Sequence, residues 1–281
     1  MATPANSLDR AVLQQLAPHL VGRARRGVVG SSRYARSLRD AVRQASEDAQ
    51  RRPVLISGEP GLEKDNLAAL IHFGSADRQQ LMLRFDGALL RADGADLFAA
   101  EGEQLPLLEL LGRGALLIDK LDQVAEPLRA ALLELAQSGL WRGTGAEASV
   151  QHFEGRLFFT AEASQADFDR LCTVIRVPPL RVRRQDLGEW LRYGVRQRSR
   201  KLGWSVSPQV AEVVVKRLQS YDFPNNIREL ETLIYRALQQ MRQQEQSSAG
   251  ESMLVIPEDV FWTPARQQRY RFDIWRWKPQ L

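Results

Sequence analysis

Cysteine and histidine are scarce in this chain of 281 residues. Its single cysteine, Cys172, excludes an internal disulfide framework, and the three histidines are too scattered to form a metal cluster with it. We therefore expect neither a structural zinc site nor the disulfide-rich architecture of small secreted domains.

Long apolar runs are missing as well. Stretches such as residues 115–118 are far shorter than the ~20 residues that span a bilayer. The first residues lack the basic start, apolar centre and small-residue cleavage site of a signal peptide, so we expect a cytoplasmic protein. With 44% hydrophobic and 26% charged residues, the composition is that of a folded globular chain.

Charge of one sign is only mildly in excess, because 39 basic and 34 acidic residues give a net charge of +5. Arginines cluster at 23–26, at 181–184 and at 266–276. Each cluster can equally be a solvated surface, so the charge alone does not predict nucleic-acid binding.

Short apolar runs alternate with helical patterns through the first part of the chain. This alternation predicts an α/β fold with a parallel sheet covered by helices. The strand candidates are residues 54–56, 81–85, 114–118 and 156–159, and the helix candidates are residues 37–50, 66–71 and 127–137. After residues 178–179 the strand signals fade, and amphipathic helices are expected at 185–202, 208–220 and 226–243.

The loop GEPGLEKD, residues 58–65, lies between a strand candidate and a helix candidate. At such a position backbone N–H groups converge on an anion, and a lysine reaches the outer phosphates. Gly58 and Lys64 match the G-x-x-x-x-G-K-[ST] pattern, whereas Glu63 and Asp65 replace its second glycine and its hydroxyl residue. The loop indicates a phosphate site, with an ordinary strand-to-helix turn as the alternative.

A second motif, GALLIDK, delivers Asp119 at the end of an apolar strand. Ligands of open parallel sheets bind at that edge, and an aspartate there can hold Mg²⁺. The alternative is an aspartate that caps the next helix.

Four segments in order, GEPGLEKD, GALLIDKLDQV, RLCTVIRVPPLRVRRQDL and FPNNIRELETLIYRAL, resemble the AAA+ domain of sigma-54-dependent transcriptional activators. The likeness covers about residues 28–240, and the last two segments are specific to this family among AAA+ proteins. It implies a P-loop NTPase sheet followed by a helical lid. The expected organisation is an N-terminal helical extension (1–27), an α/β nucleotide-binding domain (28–177), a helical lid (178–243), and a linker with a basic and aromatic tail (244–281).

The resemblance also implies a site for ATP or ADP, with Mg²⁺ as a candidate metal at Asp119. It makes Lys64 the phosphate-binding lysine, Arg228 the lid arginine that senses nucleotide, and Arg170 an arginine presented to the nucleotide of a neighbouring subunit. Self-association through the AAA+ domain is therefore expected. The remaining implied nucleotide-binding residues are Val29, Gly30, Gly58, Gly61 and Asp65.

The departures from the family pattern bear on catalysis. Lys120 stands where the family has the glutamate that activates water, and a protonated lysine cannot accept a proton. Glu162 stands where the family has a sensing asparagine. Glu63 adds a carboxylate beside the phosphate loop, which Lys120 could compensate. These residues indicate nucleotide binding with weak or lost hydrolysis.

Two further parts of the family pattern are not found. No GAFTGA hexapeptide occurs between residues 85 and 114, which makes contact with sigma-54 doubtful. No helix-turn-helix follows the lid, so we expect no sequence-specific DNA binding by this chain alone. The tail interleaves Trp262, Trp275 and Trp277 with arginines, which suits either a membrane surface or packing onto the AAA+ domain.

Three functions remain open at this point. The first is a nucleotide-binding regulatory module with weak or lost hydrolysis. The second is a working ATPase that remodels a protein partner, and the third is a structural interaction module with an empty cleft.

Overall fold

The structure is a computed structural model that describes residues 16–100, 105–143, 149–204 and 208–245. These residues divide into two compact units. The first unit contains the described residues of 16–26, 42–57 and 64–175, and the second those of 27–41, 58–63 and 176–245. The predicted basic and aromatic tail beyond residue 245 lies outside the described residues.

The first unit is built on a five-stranded sheet with the strand order β2-β3-β6-β1-β7. The pairs β2–β3, β3–β6 and β6–β1 are parallel, whereas β4 and β5 form a separate antiparallel pair. The strands are β1 (Val54–Ser57), β2 (Met82–Asp86), β3 (Ala115–Asp119), β4 (Leu140–Arg142), β5 (Val150–His152), β6 (Arg156–Ala161) and β7 (Thr173–Arg176).

The register of the sheet brings polar strand ends to one edge. Asp86, the last residue of β2, is directly opposite Asp119, the last residue of β3. Because the carboxyl ends of parallel strands share one edge, residues that follow these strands gather there. This edge is where the candidate site of the first unit lies.

The helices are α1 (Arg33–Ser46), α2 (Lys64–Gly74), α3 (Ala95–Phe98), α4 (Leu107–Leu111), α5 (Glu126–Ser138), α6 (Ala166–Leu171), α7 (Leu187–Lys201), α8 (Glu212–Gln219) and α9 (Asn226–Glu245). Short 3-10 turns occur at Ala17–His19, Leu121–Gln123, Leu180–Val182 and Arg184–Asp186. In the described part of the chain, no helix combines the length and apolar character needed to cross a bilayer.

The core of the first unit lies against the sheet. All five residues of β3 are buried, as expected of a central strand covered on both faces. Leucines of α5 at helical spacing, Leu128, Leu132 and Leu135, belong to the same apolar cluster as Ile118 and Phe159. Burial of each such side chain contributes roughly 1.5–3 kcal/mol.

The second unit is mainly helical, with α7 packed against both α8 and α9. Leu191 and Val195 of α7 and Leu230 and Ile234 of α9 are all buried. A Cβ atom on Gly194 would lie 2.6 Å from Cδ1 of Ile234, so glycine permits the close approach of these two helices.

The predicted α/β class with a parallel sheet and helical lid is confirmed. The second lid helix begins at Glu212 rather than at Pro208. The structure describes residues 16–27 of the expected N-terminal extension. In this part, only Leu16 and the 3-10 turn Ala17–His19 are helical. Strand β7, the hairpin β4–β5 and the short helices α3, α4 and α6 were not predicted.

Candidate functional site

The predicted site residues are divided between the two units, and one of the boundaries between these units falls between Glu63 and Lys64. The first unit contains Lys64, Asp65, Asp119, Lys120 and Arg170. The second unit contains Val29, Gly30, Gly58, Gly61 and Arg228.

Lys64 is the first residue of α2 and is buried, with 9% of its surface exposed. Burial lowers the pKa of Lys64, and the negative charges of Glu162, Asp119 and Asp122 oppose that change. The phosphate-binding candidate therefore lies at a helix N-terminus, where the backbone dipole favours anions.

Asp119, at the end of β3, has both carboxylate oxygens engaged. Oδ1 accepts a short hydrogen bond from the Thr160 hydroxyl of β6. Oδ2 accepts one from Nη2 of Arg84, at 2.5 Å. Because Thr160 and Asp119 are both buried, these contacts hold the carboxylate in one orientation.

Asp65 follows Lys64 and forms ion pairs with two arginines. Nη1 and Nη2 of Arg25 each lie 3.0 Å from one of its oxygens, and Nη1 of Arg84 lies 3.0 Å from Oδ2. Burial alone would raise the pKa of Asp65, but the hydrogen bonds from Arg25 and the charge of Arg84 lower it overall. Arg84 therefore bridges Asp65 and Asp119.

Lys120 adopts a left-handed backbone conformation, with φ 60° and ψ 55°. Its N–H donates to the Thr160 hydroxyl at 3.0 Å, and its Nζ lies 2.6 Å from Oδ2 of Asp86. Burial alone would raise the pKa of Asp86, but the hydrogen bond from Lys120 helps to lower that pKa below its ordinary value. The structure thus gives Lys120 the partner Asp86.

Glu162, which follows β6, is exposed, and its backbone N–H donates to Asp122 Oδ1 at 2.9 Å. Arg170 lies in the last turn of α6 and is exposed. Within the described residues, the Arg170 side chain makes no hydrogen bond or ion pair.

A cleft of about 630 Å³ opens beside the charged residues of the first unit. Its walls include charged side chains of the first unit and apolar side chains from the residues that precede α1 in the sequence. Four residues that line the cleft also take part in the ion pairs described above: Arg25, Asp65, Arg84 and Asp86.

In the second unit, the buried carboxylate of Glu59 joins the loop after β1 to the lid. Arg181 donates to it from Nη1 at 2.6 Å and from Nη2 at 2.5 Å. Nδ2 of Asn226, the first residue of α9, donates to the same carboxylate at 3.1 Å and to the Pro60 carbonyl at 3.0 Å.

Two of the predicted glycines of the second unit, Gly30 and Gly61, lie in tight contacts. A Cβ atom on Gly61, whose φ is +76°, would lie 1.9 Å from the Asn225 carbonyl oxygen. A Cβ atom on Gly30 would lie 2.4 Å from Cγ of Asp186, whose carboxylate accepts hydrogen bonds from Ser32. Both positions therefore require glycine.

The other predicted residues of this unit have less specific surroundings. Val29 is half-buried, and the backbone of Gly58 lies close to Val177. Arg228 has an exposed side chain, and its N–H donates to the Gly61 carbonyl at 3.2 Å.

Four charged residues in these contacts were not predicted: Arg84 and Asp86 in the first unit, and Glu59 and Arg181 in the second. Arg84 and Asp86 occupy alternate positions of the otherwise apolar strand β2. That pattern places both side chains on one face, a signal that the sequence offers. The pairing of Glu59 with Arg181 bridges 122 positions of sequence, and no local pattern marks it.

These contacts do not fit a magnesium ion at Asp119. Mg²⁺ takes near-octahedral oxygen ligands and retains several waters, so it needs an accessible carboxylate oxygen. Both oxygens of Asp119 are engaged by Thr160 and Arg84. Over the residues that the structure describes, no group of three or more acidic, histidine or cysteine side chains is arranged to hold a metal.

Comparison with known proteins identifies similar sequences. The family model of the AAA+ ATPase lid domain matches residues 181–249. The HTH-type transcriptional regulatory protein TyrR of Haemophilus influenzae is 30% identical over 221 residues, which cover 70% of this chain and 69% of TyrR. The Nif-specific regulatory protein of Klebsiella pneumoniae is 25% identical over 232 residues, and the matched part covers 75% of this chain but 43% of that protein.

Solved structures show the same fold. The crystal structure of NtrX from Brucella abortus in complex with ADP matches with a TM-score of 0.71 and 18% identity. The match covers 83% of this chain and 55% of NtrX.

Proposed function

The chain belongs to the AAA+ family of sigma-54-dependent transcriptional regulators, and we propose that it is a regulatory module that binds ATP or ADP. The observation that carries the proposal is the buried Lys64 at the N-terminus of α2, directly after the loop that follows β1. An ammonium group and the backbone N–H groups at a helix start suit a polyphosphate. NtrX, which shares the fold, was crystallised with ADP and with ATP.

We further propose that hydrolysis is weak or lost. A general base must accept a proton from the attacking water, and the Lys120 ammonium has no free lone pair with which to accept one. Its ion pair with Asp86 also holds the side chain in place. The carboxylate of Asp119 is oriented by Thr160 and Arg84, so it does not replace the missing glutamate.

Titration of the full chain with ADP and ATP tests nucleotide binding. We expect Lys64→Ala to weaken binding at least about tenfold, which corresponds to ~1.4 kcal/mol. Lys216→Ala is the matched control, because Lys216 is exposed on α8. Equal affinity in the unaltered chain and the Lys64→Ala variant would overturn the proposal, provided that circular dichroism shows both to be folded.

Steady-state phosphate release then tests the loss of hydrolysis. We expect the unaltered chain to bind ATP and release phosphate no faster than the Lys64→Ala variant. Robust turnover that depends on Lys64 would instead identify a working ATPase.

We also propose that the chain self-associates through the AAA+ part, with Arg170 presented to the nucleotide of a neighbouring copy. The supporting observation is that Arg170 is exposed at the end of α6. Sedimentation velocity with and without ADP should show larger species that Arg170→Ala diminishes. Arg91→Ala is the control, since Arg91 is exposed and its side chain pairs with Asp93 in a local turn. A single monomeric species at all concentrations would contradict this proposal.

A further inference from the structure

The Arg84 guanidinium connects the two carboxylates that flank the phosphate-binding lysine. Its Nη1 lies 3.0 Å from Oδ2 of Asp65, and its Nη2 lies 2.5 Å from Oδ2 of Asp119. Arg25 also donates to both oxygens of Asp65, so the group contains two carboxylates and two guanidinium ions. The quartet is therefore electrically neutral without a metal ion.

We infer that Arg84 takes the place of a divalent cation between Asp65 and Asp119, so that this chain binds its nucleotide independently of magnesium. The inference rests on the proposed function, because it concerns the same nucleotide site. It predicts that the ligand is the free nucleotide rather than its magnesium complex.

The carboxylates around Arg84 stabilise its protonated form. Burial tends to lower the pKa of Arg84, but the carboxylates of Asp65 and Asp119 outweigh burial and raise it. Nη1 and Nη2 each contact a different carboxylate, and a planar guanidinium offers such donors in a fixed geometry. A lysine at this position would present a single point of charge.

The two carboxylates are also fixed from their other sides. The Thr160 hydroxyl donates to Oδ1 of Asp119, and Arg25 donates to both oxygens of Asp65. Arg25 is itself anchored, because its backbone N–H donates to Oδ1 of Asn66 at 2.7 Å. The carboxylates are thus arranged for the guanidinium.

A magnesium ion on Oδ2 of Asp119 would either displace the Arg84 guanidinium or lie beside it. In the second case, two positive charges in a partly buried site repel strongly. The ion would also have to give up part of its hydration shell, which Mg²⁺ does reluctantly. The guanidinium incurs neither cost.

The first experiment measures ADP affinity by calorimetry, with excess magnesium and with EDTA. For the unaltered chain we expect the two dissociation constants to agree within about threefold. Arg84→Met and Arg84→Lys should weaken binding in EDTA, and magnesium should recover about tenfold of that loss. Arg91→Met, which removes an exposed arginine paired with Asp93, should behave as the unaltered chain does.

The second experiment needs no nucleotide and uses Mn²⁺ alone as a paramagnetic probe of the free ion. The unaltered chain should leave the electron paramagnetic resonance signal of free Mn²⁺ unchanged. Arg84→Met, which removes the guanidinium between Asp65 and Asp119, should reduce that signal as an ion binds. Stoichiometric Mn²⁺ binding by the unaltered chain would overturn the inference, even if the variants fail to fold.

The results separate the inference from the proposed function. ADP binding that requires magnesium overturns the inference and leaves the proposed function intact. No ADP binding in either condition overturns both. Magnesium-independent ADP binding that is lost in Lys64→Ala supports both.

Discussion

The side-chain ammonium of Lys120 lies 2.6 Å from Oδ2 of Asp86, across the two neighbouring strands β3 and β2. Asp86 ends β2 directly opposite Asp119, so the pairing places an ion pair beside the oriented carboxylate of Asp119. The position at which the family resemblance implies a water-activating glutamate is therefore occupied by a cation with a partner in the neighbouring strand.

Restoring a glutamate at this position should not by itself restore fast hydrolysis. Lys120→Glu would place a second carboxylate beside Asp86, and two like charges ~4 Å apart repel by about 1–4 kcal/mol, depending on the dielectric. We expect phosphate release to stay slow and the chain to lose stability. Phosphate release and urea denaturation measure the two effects.

Lys120→Gln is the matched control, because it removes the ammonium without adding a carboxylate. Its loss of stability should be at most about 1 kcal/mol, since the ion pair is partly exposed to water. Rapid turnover in Lys120→Glu would show that the missing glutamate is the sole defect.

Gly61 allows us to separate a backbone effect from a steric one. Gly61→Ala forces alanine into a left-handed conformation and places its Cβ 1.9 Å from the Asn225 carbonyl oxygen. Gly203 has almost the same φ, +77°, but no atom of the described residues lies within 4 Å of its Cβ position. Gly203→Ala should therefore lose only the conformational cost of about 1–2 kcal/mol, and Gly61→Ala should lose clearly more in urea denaturation. Equal losses would show that the loop moves away freely.

Four strands (β1, β2, β3 and β6) and most long helices could be predicted because their signals are local. Residues 115–118 form an uninterrupted apolar run, and α5 carries leucines at 128, 132 and 135 at helical spacing, so a local sequence pattern indicates each element. Strand β7 has no comparable signal, because only Ile175 within it is fully buried and it lies at the edge of the sheet. Its pairing depends on the tertiary fold.

The site was predictable only in part for a related reason. The loop motif identifies Lys64, and the strand end identifies Asp119, because each lies in a short recognisable pattern. The bridge from Arg84 to both carboxylates depends on the order of strands in the sheet, which places β2 beside β3. Sequence spacing of 35 residues between Arg84 and Asp119 carries no such information.

The ion pair between Glu59 and Arg181 should contribute strongly to the second unit. Its side chains are 7% and 19% exposed, and Asn226 adds a third contact to the carboxylate. Glu59→Gln removes the negative charge and leaves a largely buried guanidinium, a change that typically costs about 3–5 kcal/mol. Urea denaturation should show this loss.

Glu231→Gln is the control for that measurement. Glu231 pairs with Arg198 at 3.1 Å, but both side chains are about one-third exposed. Its removal should therefore cost less than about 1 kcal/mol. If the two substitutions destabilise the chain equally, Glu59 is not an energetic link between the loop and the lid.

Cys172 offers a readout of burial, because it is the single cysteine of the chain. Burial, helped by the negative charge of Asp169, raises the pKa of the Cys172 thiol to about 12. The thiolate is the reactive form, so iodoacetamide at pH 8 should alkylate the folded chain at least about a hundredfold more slowly than the urea-unfolded chain. Equal rates in the two states would contradict the assigned burial.

The same shift predicts how stability depends on alkaline pH. An unfolded cysteine loses its proton near pH 8.5–9, whereas the folded one retains it to about 12. Between these values the folded state holds more protons, so the contribution of Cys172 to stability is complete below about pH 9 and is lost as the pH rises towards 12. Cys172→Ser isolates this effect, because serine does not titrate in that range. The unfolding free energy of the unaltered chain should fall more steeply from pH 9 to 11 than that of the variant, and parallel curves would contradict the shift.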